Sequence, residues 1–338
     1  MTTEQQQTAE QDVAVHDDGA ALAVRRGDVE LFRYVYRPTD VPYESPRPYV
    51  HPLRTPGGDV VTAYRPWDHV WHKGIAWSLP HVGPWNFWGG PNYVRERGTY
   101  VDLGNDGSMD HERFESVDAS RVVEELAWRT PPTADGTPGD VVVRERRTLG
   151  VHVPDGEEPA WVLTFRSEMT NVSDGPLDIG SPTTNGRENA GYGGLFWRGP
   201  RSFTEGQVIL PDDAGHGLLT DGEDARGVHA PWLGFVGRHD GPAPGPEGGS
   251  RASTVLMVDG GANPGGEPQW FVRSVPFACL CPAPAFSTEL PFGTGRTLTF
   301  DYAVVVADGA SDGARGAALA ALGRRVLDDV LGTQVPSA

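Results

Sequence analysis

The chain reads as an all-β protein, a large antiparallel β-sandwich carrying one C-terminal helix. Three observations predict this: long runs that alternate apolar and polar residues, dense turn chemistry, and one stretch with helical period. Trp161, Leu163, Phe165 and Met169 alternate with Val162, Thr164, Arg166 and Glu168, and Leu298–Val306 alternates in the same way. A period of two puts every second side chain on one face of a strand. Gly (44) and Pro (30) supply the punctuation that many short connections need.

Taken in order, residues 1–12 are polar and lack the apolar core of a signal peptide, so they are expected to be a disordered tail. A single domain is then expected over 13–335. Strands are predicted at Val29–Tyr36, Asp59–Ala63, Ile75–Leu79, Val122–Trp128, Val141–Val153, Trp232–Gly237 and Thr254–Val258. Residues 240–250 (DGPAPGPEGGS) form a Pro/Gly-rich loop between two of these strands. The helix is expected over Gly313–Leu331, where Ala317, Ala318, Leu319, Ala321, Leu322, Val326, Leu327 and Val330 form an apolar stripe.

Charge excludes some functions. With 46 acidic against 28 basic residues, the formal net charge is −18, which repels phosphate backbones and anionic lipid. Nucleic acid and membrane are therefore not expected partners; a neutral small molecule suits the charge, and self-association is left open. No apolar run is long enough to span a bilayer. Cys279 and Cys281 sit two apart in an apolar run, where they read as buried thiols rather than a disulfide. A cytoplasmic location follows as an expectation.

Chemistry concentrates in three places. Between Tyr49 and Tyr93 lie His51, His69, His72, His81 and five tryptophans. Asp68-His69-x-x-His72 falls in a Pro-rich loop before a strand. Two imidazoles so spaced can converge on one metal or substrate, with Asp68 orienting a ring, or can simply hydrogen-bond within the loop. His111, in Asp110-His111-Glu112, belongs either to a solvated strand face or to an acid/base site if that strand lines the same mouth. In Thr183–Phe203, Glu188, Tyr192, Trp197 and Arg198 suit a polyhydroxylated ligand, because rings cover sugar C–H faces while charged groups meet hydroxyls. Phe196 and Trp197 cannot face the same way, so one is expected in the core and the other at the site or surface. Neither a GxSxG elbow nor a P-loop occurs.

The ordered set His51-Pro-Leu, Asp68-His69-x-x-His72-x-Gly74, Tyr192-Gly-Gly, Arg198, Pro231-Trp232, Asn263-Pro264, Trp270-Phe-Val-Arg273 and Pro276-Phe277 resembles the soluble bacterial methane oxygenase PmoA-like family. The resemblance runs from about Val29 to Gly309. It implies a supersandwich of the galactose-mutarotase type and a setting in carbohydrate metabolism. Two departures stand out: Trp71 precedes His72 where relatives carry a further His, and Lys73 replaces an Arg, which argues against an essential Schiff-base lysine. The leading expectation is a carbohydrate-active enzyme working by general acid/base chemistry on a sugar or oxidised sugar derivative, as an epimerase, lyase or keto-glycoside hydrolase. His69 and His72 would be the acid/base pair, Asp68 the orienting group and Glu188 the opposing carboxylate. Tyr192 and Arg198 would bind hydroxyls or an oxyanion, with His111 and His51 as further contacts and Trp88 or Trp197 as the stacking platform. One divalent metal on His51, His69 and His72 is the cofactor option. The alternatives are a non-catalytic sugar-binding scaffold and, following the family's name, a metal-dependent oxygenase with a two-His-one-carboxylate site.

Overall fold

Alternation along the strands builds most of the architecture. The computed structural model describes residues 13–154, 156, 158–242 and 250–332; the expected tail at 1–12, residues 333–335 and most of the 240–250 loop lie outside them. The described residues form two large sheets. The first, here the front sheet, runs in the order Val13–Asp17, Ala21–Arg26, Val29–Val35, Tyr49–Leu53, Ile75–Val82, Gly194–Arg198, Cys279–Ala283, Gln269–Arg273. The second, the back sheet, runs Gly217–Thr220, Gln207–Pro211, Trp232–Pro242, Ser250–Asp259, Thr297–Asp308, Ala160–Asn171, Val141–His152, Arg121–Arg129, Ser108–Val117. Their strand pairings are antiparallel, and the all-β sandwich with one C-terminal helix is the observed class.

One face of each sheet closes on a shared core. Trp77, Trp197, Trp270 and Leu280 from the front sheet meet Trp128, Phe165, Met169, Phe300 and Val304 from the back sheet. Burying such side chains stabilises by roughly 1.5–3 kcal/mol each, which lets the sandwich tolerate the polar groups set within it. The Trp77 indole N–H points at Met169 Sδ, 3.2 Å away, so even its polar edge has a partner.

The alternate residues of the back sheet face the other way. Ala303, Val305 and Ala307 pack with Leu319, Ala320 and Leu327 of the helix Gly313–Gly332. Its buried stripe also uses Gly316 and Gly323, while Ala318 and Ala321, expected in the stripe, are exposed. Close approach explains this: a Cβ at Gly323 would stand 2.9 Å from methyl carbons of both Val258 and Val305. The expected strand at Asp59–Ala63 is also absent. That segment makes an isolated bridge, Arg54 to Val60, because its backbone leaves the sheet to start the long loop that carries His69 and His72.

Candidate functional site

The outer face of the front sheet is apolar where most sheets would meet water. Phe196, Phe271, Cys279, Cys281 and Phe286 cluster there with Trp88 and Phe277. Period two explains who is present: in Trp270-Phe271-Val272-Arg273 the first and third residues enter the core and the second and fourth face outward. Likewise Phe196 and Arg198 face the site while Trp197 is fully buried in the core, its N–H bonded to Val61 O at 2.7 Å. The expected role of Trp197 as a stacking platform is therefore corrected, and Phe196 takes the outward place. Both cysteines are free and buried under this face; burial pushes the Cys279 thiol up to about 11.

Over this floor lies a cavity of about 410 Å³, lined by His69, Trp71, His72, Trp88, Tyr100, Arg187, Tyr192, Phe196, Phe271, Arg273 and Phe277 among others. That volume is within the usual range of small-molecule sites. The loop that brings in the two histidines is held at both ends. Gly74 takes φ +57°, and a Cβ there would stand 2.2 Å from Val50 O, so only glycine allows the chain to enter the strand Ile75–Val82 at this point. Arg47, buried, donates to Trp71 O at 2.7 Å and to Ser78 Oγ at 2.7 Å, fastening loop to sheet. Trp71 itself lies against Gly89 and Gly90, where a Cβ would come within 2.7 Å of its atoms. Lys73 does not reach the cavity; it is buried between Asp40 and Glu44 as a structural cation.

The histidine pair is the centre of the arrangement. The rings of His69 and His72 stack, 4.7 Å between centroids and 20° between planes. Asp68 lies 3.1 Å from His69 Nδ1. Burial favours the protonated form of Asp68, but the Arg198 charge and the His69 hydrogen bond outweigh it and hold this carboxyl below its ordinary range. An ionised carboxylate only accepts, so His69 Nδ1 carries the hydrogen and Nε2 keeps a lone pair. His72 is reversed. Arg198 Nη1 donates to its Nδ1 at 2.8 Å, so the hydrogen sits on Nε2. Burial first, then the Arg198 charge, holds His72 well below the ordinary imidazole value, and burial lowers His69 against the pull of Asp68. Two neutral rings therefore line one cavity, one with a free base and the other with a free N–H.

Arg198 and Asp68 set this up from behind. Arg198 is buried on the last position of Gly194–Arg198, lies 3.7 Å over the Phe277 ring and reaches Asp68 at 3.3 Å. Asp68 is also held by Arg201 at 2.6 Å. Arg198 thus contacts the imidazole rather than the cavity, a positioning role where substrate contact was expected.

The other expected site residues fall elsewhere. His51 faces Thr62 Oγ1 at 2.9 Å and stacks on Tyr64, away from the cavity lining. Glu188 is exposed and does not line the cavity; its neighbour Arg187 does. A turn at residues 188–189 points the carboxylate outward, so the opposing-carboxylate role is corrected. His111 is neither on a solvated face nor at the mouth: its side chain is 4% exposed and Nδ1 lies 2.6 Å from Glu124 Oε1. It belongs to a buried polar network with Glu124, Tyr34, Arg147 and Glu145 inside the sandwich. Trp88 and Tyr192 do line the cavity, the Tyr192 hydroxyl 3.0 Å from that of Tyr100. Burial first, then Tyr100, raises the Tyr192 phenol well above its ordinary value. Tyr100, Arg187, Phe271, Arg273 and Phe277 complete the wall; the outward phase of the Trp270–Arg273 alternation was the available signal for two of them.

The donors present do not suit a metal ion. Among the described residues no group of three His, Cys, Asp or Glu side chains is placed to hold one. His51 is apart, and a guanidinium faces His72 Nδ1 and Asp68 where a cation would need free lone pairs. No helix among the described residues is long and apolar enough to cross a membrane.

No curated protein matches the chain. Residues 21–321 match a family of unknown function, DUF6807, and the chain belongs to that family.

Proposed function

We propose that this protein is a carbohydrate-active enzyme that moves protons on a sugar or oxidised sugar derivative, with His69 as base and His72 as acid. One observation carries the reading: neighbouring groups fix opposite tautomers on two stacked imidazoles in the same cavity. His69 Nε2 takes a proton from a hydroxyl or from a C–H next to a carbonyl, and His72 Nε2–H supplies one to the oxygen that gains charge. The pair gains one proton and loses one, as epimerisation, elimination or keto-glycoside cleavage requires. Asp68 and Arg198 are positioning residues: they orient the rings and keep the two tautomers apart. Trp88, Phe196 and Phe271 offer faces to sugar C–H groups, with Tyr192 packed beside Trp88 and Phe271. The sandwich is compatible with the mutarotase-like architecture, and paired free thiols in one strand are compatible with a cytoplasmic setting.

The test is a turnover screen of sugars, uronates and 3-keto-sugars followed by NMR. His69→Ala and His72→Ala are expected to lose roughly 10²–10⁴-fold in rate with ligand binding retained. Because burial holds both rings below the ordinary imidazole range, activity is expected to persist as the pH falls past the point where a free imidazole protonates, and to be lost in more acid solution. Unchanged rates in both variants refute the assignment. A sugar bound by the wild type without turnover points instead to the binding-module reading, which the aromatic wall alone would support.

A further inference from the structure

The charge of the cavity is opposite to that of the chain. The protein carries −18, yet among the described residues the lining contains Arg187 and Arg273 and neither Asp nor Glu. Arg226 stands behind them: its guanidinium lies 5.8 Å from the Phe271 centroid, and that of Arg273 lies 5.6 Å from the same ring. Against these three cations the described residues set one carboxylate, Glu223. It is exposed, pairs with Arg226 and lies 4.0 Å from Arg273 Nη1. Arg187 has no ion pair among the described residues. It lies 4.8 Å over the Tyr100 ring and donates to the Tyr100 hydroxyl, which in turn meets Tyr192. Arg273 shares the cavity wall with His69 and Tyr192.

Guanidinium groups gathered in a partly desolvated wall repel one another unless an anion joins them, and their planar forks match a carboxylate. We propose that the ligand is a carboxylate-bearing sugar, a uronate or aldonate, whose carboxylate is held by Arg187 and Arg273 while its ring lies on the aromatic wall toward His69 and His72. This rests on the reading of the cavity as a sugar site. A single negative charge fits better than a phosphate dianion, because the strongly acidic chain opposes each added charge.

Calorimetry on the full chain tests this with glucuronate, galacturonate and gluconate against glucose, galactose and glucose 6-phosphate. The acid sugars are expected to bind roughly 10–100-fold more tightly than the neutral hexoses, the range for hydrogen bonds to charged groups. Arg187→Gln and Arg273→Gln should each reduce that preference, Arg187→Lys should keep part of it, and added salt should weaken it. Thermal midpoints without ligand establish that each variant is folded, and either Arg variant suffices if the other is not. Equal binding of neutral sugars, a preference that survives both Gln variants, stronger binding of the sugar phosphate, or no binding of any of these would overturn the proposal. Uronate selectivity without turnover leaves it standing and removes the proton-transfer reading. Turnover of neutral sugars that depends on His69, with no preference for acids, does the reverse.

Discussion

Replacing Arg198 by Met tests whether a buried guanidinium sets the state of the two histidines. Arg198 is 1% exposed, so Met keeps most of its apolar contact, including a favourable sulfur–ring approach to Phe277. What is lost is the 2.8 Å donor to His72 Nδ1, which leaves a buried acceptor unmet. Asp68 is not stranded, because Arg201 at 2.6 Å and His69 at 3.1 Å remain. Nε of Arg198 has no partner among the described residues, so its removal costs nothing. The net loss is about 1.5–3 kcal/mol, the range for a hydrogen bond to a charged group. Chemical denaturation at pH 7 measures it, with the slope expected to stay constant. The same change removes a positive charge that disfavours protonation of both rings. Imidazole C–H resonances followed by NMR should therefore show His69 and His72 titrating at higher pH than in the wild type. A stability change below about 0.5 kcal/mol, or titrations that do not move, would refute the reasoning.

Two further predictions concern the scaffold. His81, on Ile75–Val82, has a buried Nε2 without a partner among the described residues, and burial lowers its pKa to about 4. The unfolded chain binds this proton near pH ~6.5 and the folded chain does not, so stability is lost as pH falls through that window, by about 3 kcal/mol at most; His81→Leu should shrink the difference between denaturation at pH 7 and pH 4.5, and an undiminished difference counts against the assignment. In the core, Arg147 forks Glu145 at 2.8 and 2.9 Å, both side chains buried. Arg147→Met leaves Glu145 buried with Trp128 and Ser167 as its remaining donors among the described residues and should cost about 3–5 kcal/mol; adding Glu145→Gln should recover a large part, and a single-variant loss under about 1 kcal/mol would show the pair is not held as described.

The parts of the site that were legible in the sequence are those set by near neighbours. Asp68, His69 and His72 occupy one tight loop, so their convergence follows from chain connectivity. Tyr192 is flanked by glycines and Trp88 is followed by two, so both were visible as aromatics on irregular chain. His51 was misplaced because its loop and strand diverge: Gly74 lets the strand Ile75–Val82 leave beside Val50 while the imidazole turns to Thr62 and Tyr64. His111 and Glu188 were misplaced for opposite reasons. A charged-looking strand, Asp110-His111-Glu112, buries its middle residue against Glu124, and a Gly-rich loop turns its glutamate out and its arginine in.

What the sequence determined by itself is the class of fold and the phase of each strand. Side chains two residues apart share a face wherever the strand goes, so Phe196 and Trp197 had to part, as did Phe271 and Val272. Only the tertiary structure decided which of the two faces is interior, because that depends on segments far along the chain: Trp197 meets Phe235, while Phe196 meets Trp88 and His72. Charge follows the same rule. A total of −18 is a sum over the chain, but a ligand responds to the few charges within a Debye length of about 8 Å, and folding gathers Arg187 and Arg273 around a cavity that, among the described residues, is lined by neither Asp nor Glu.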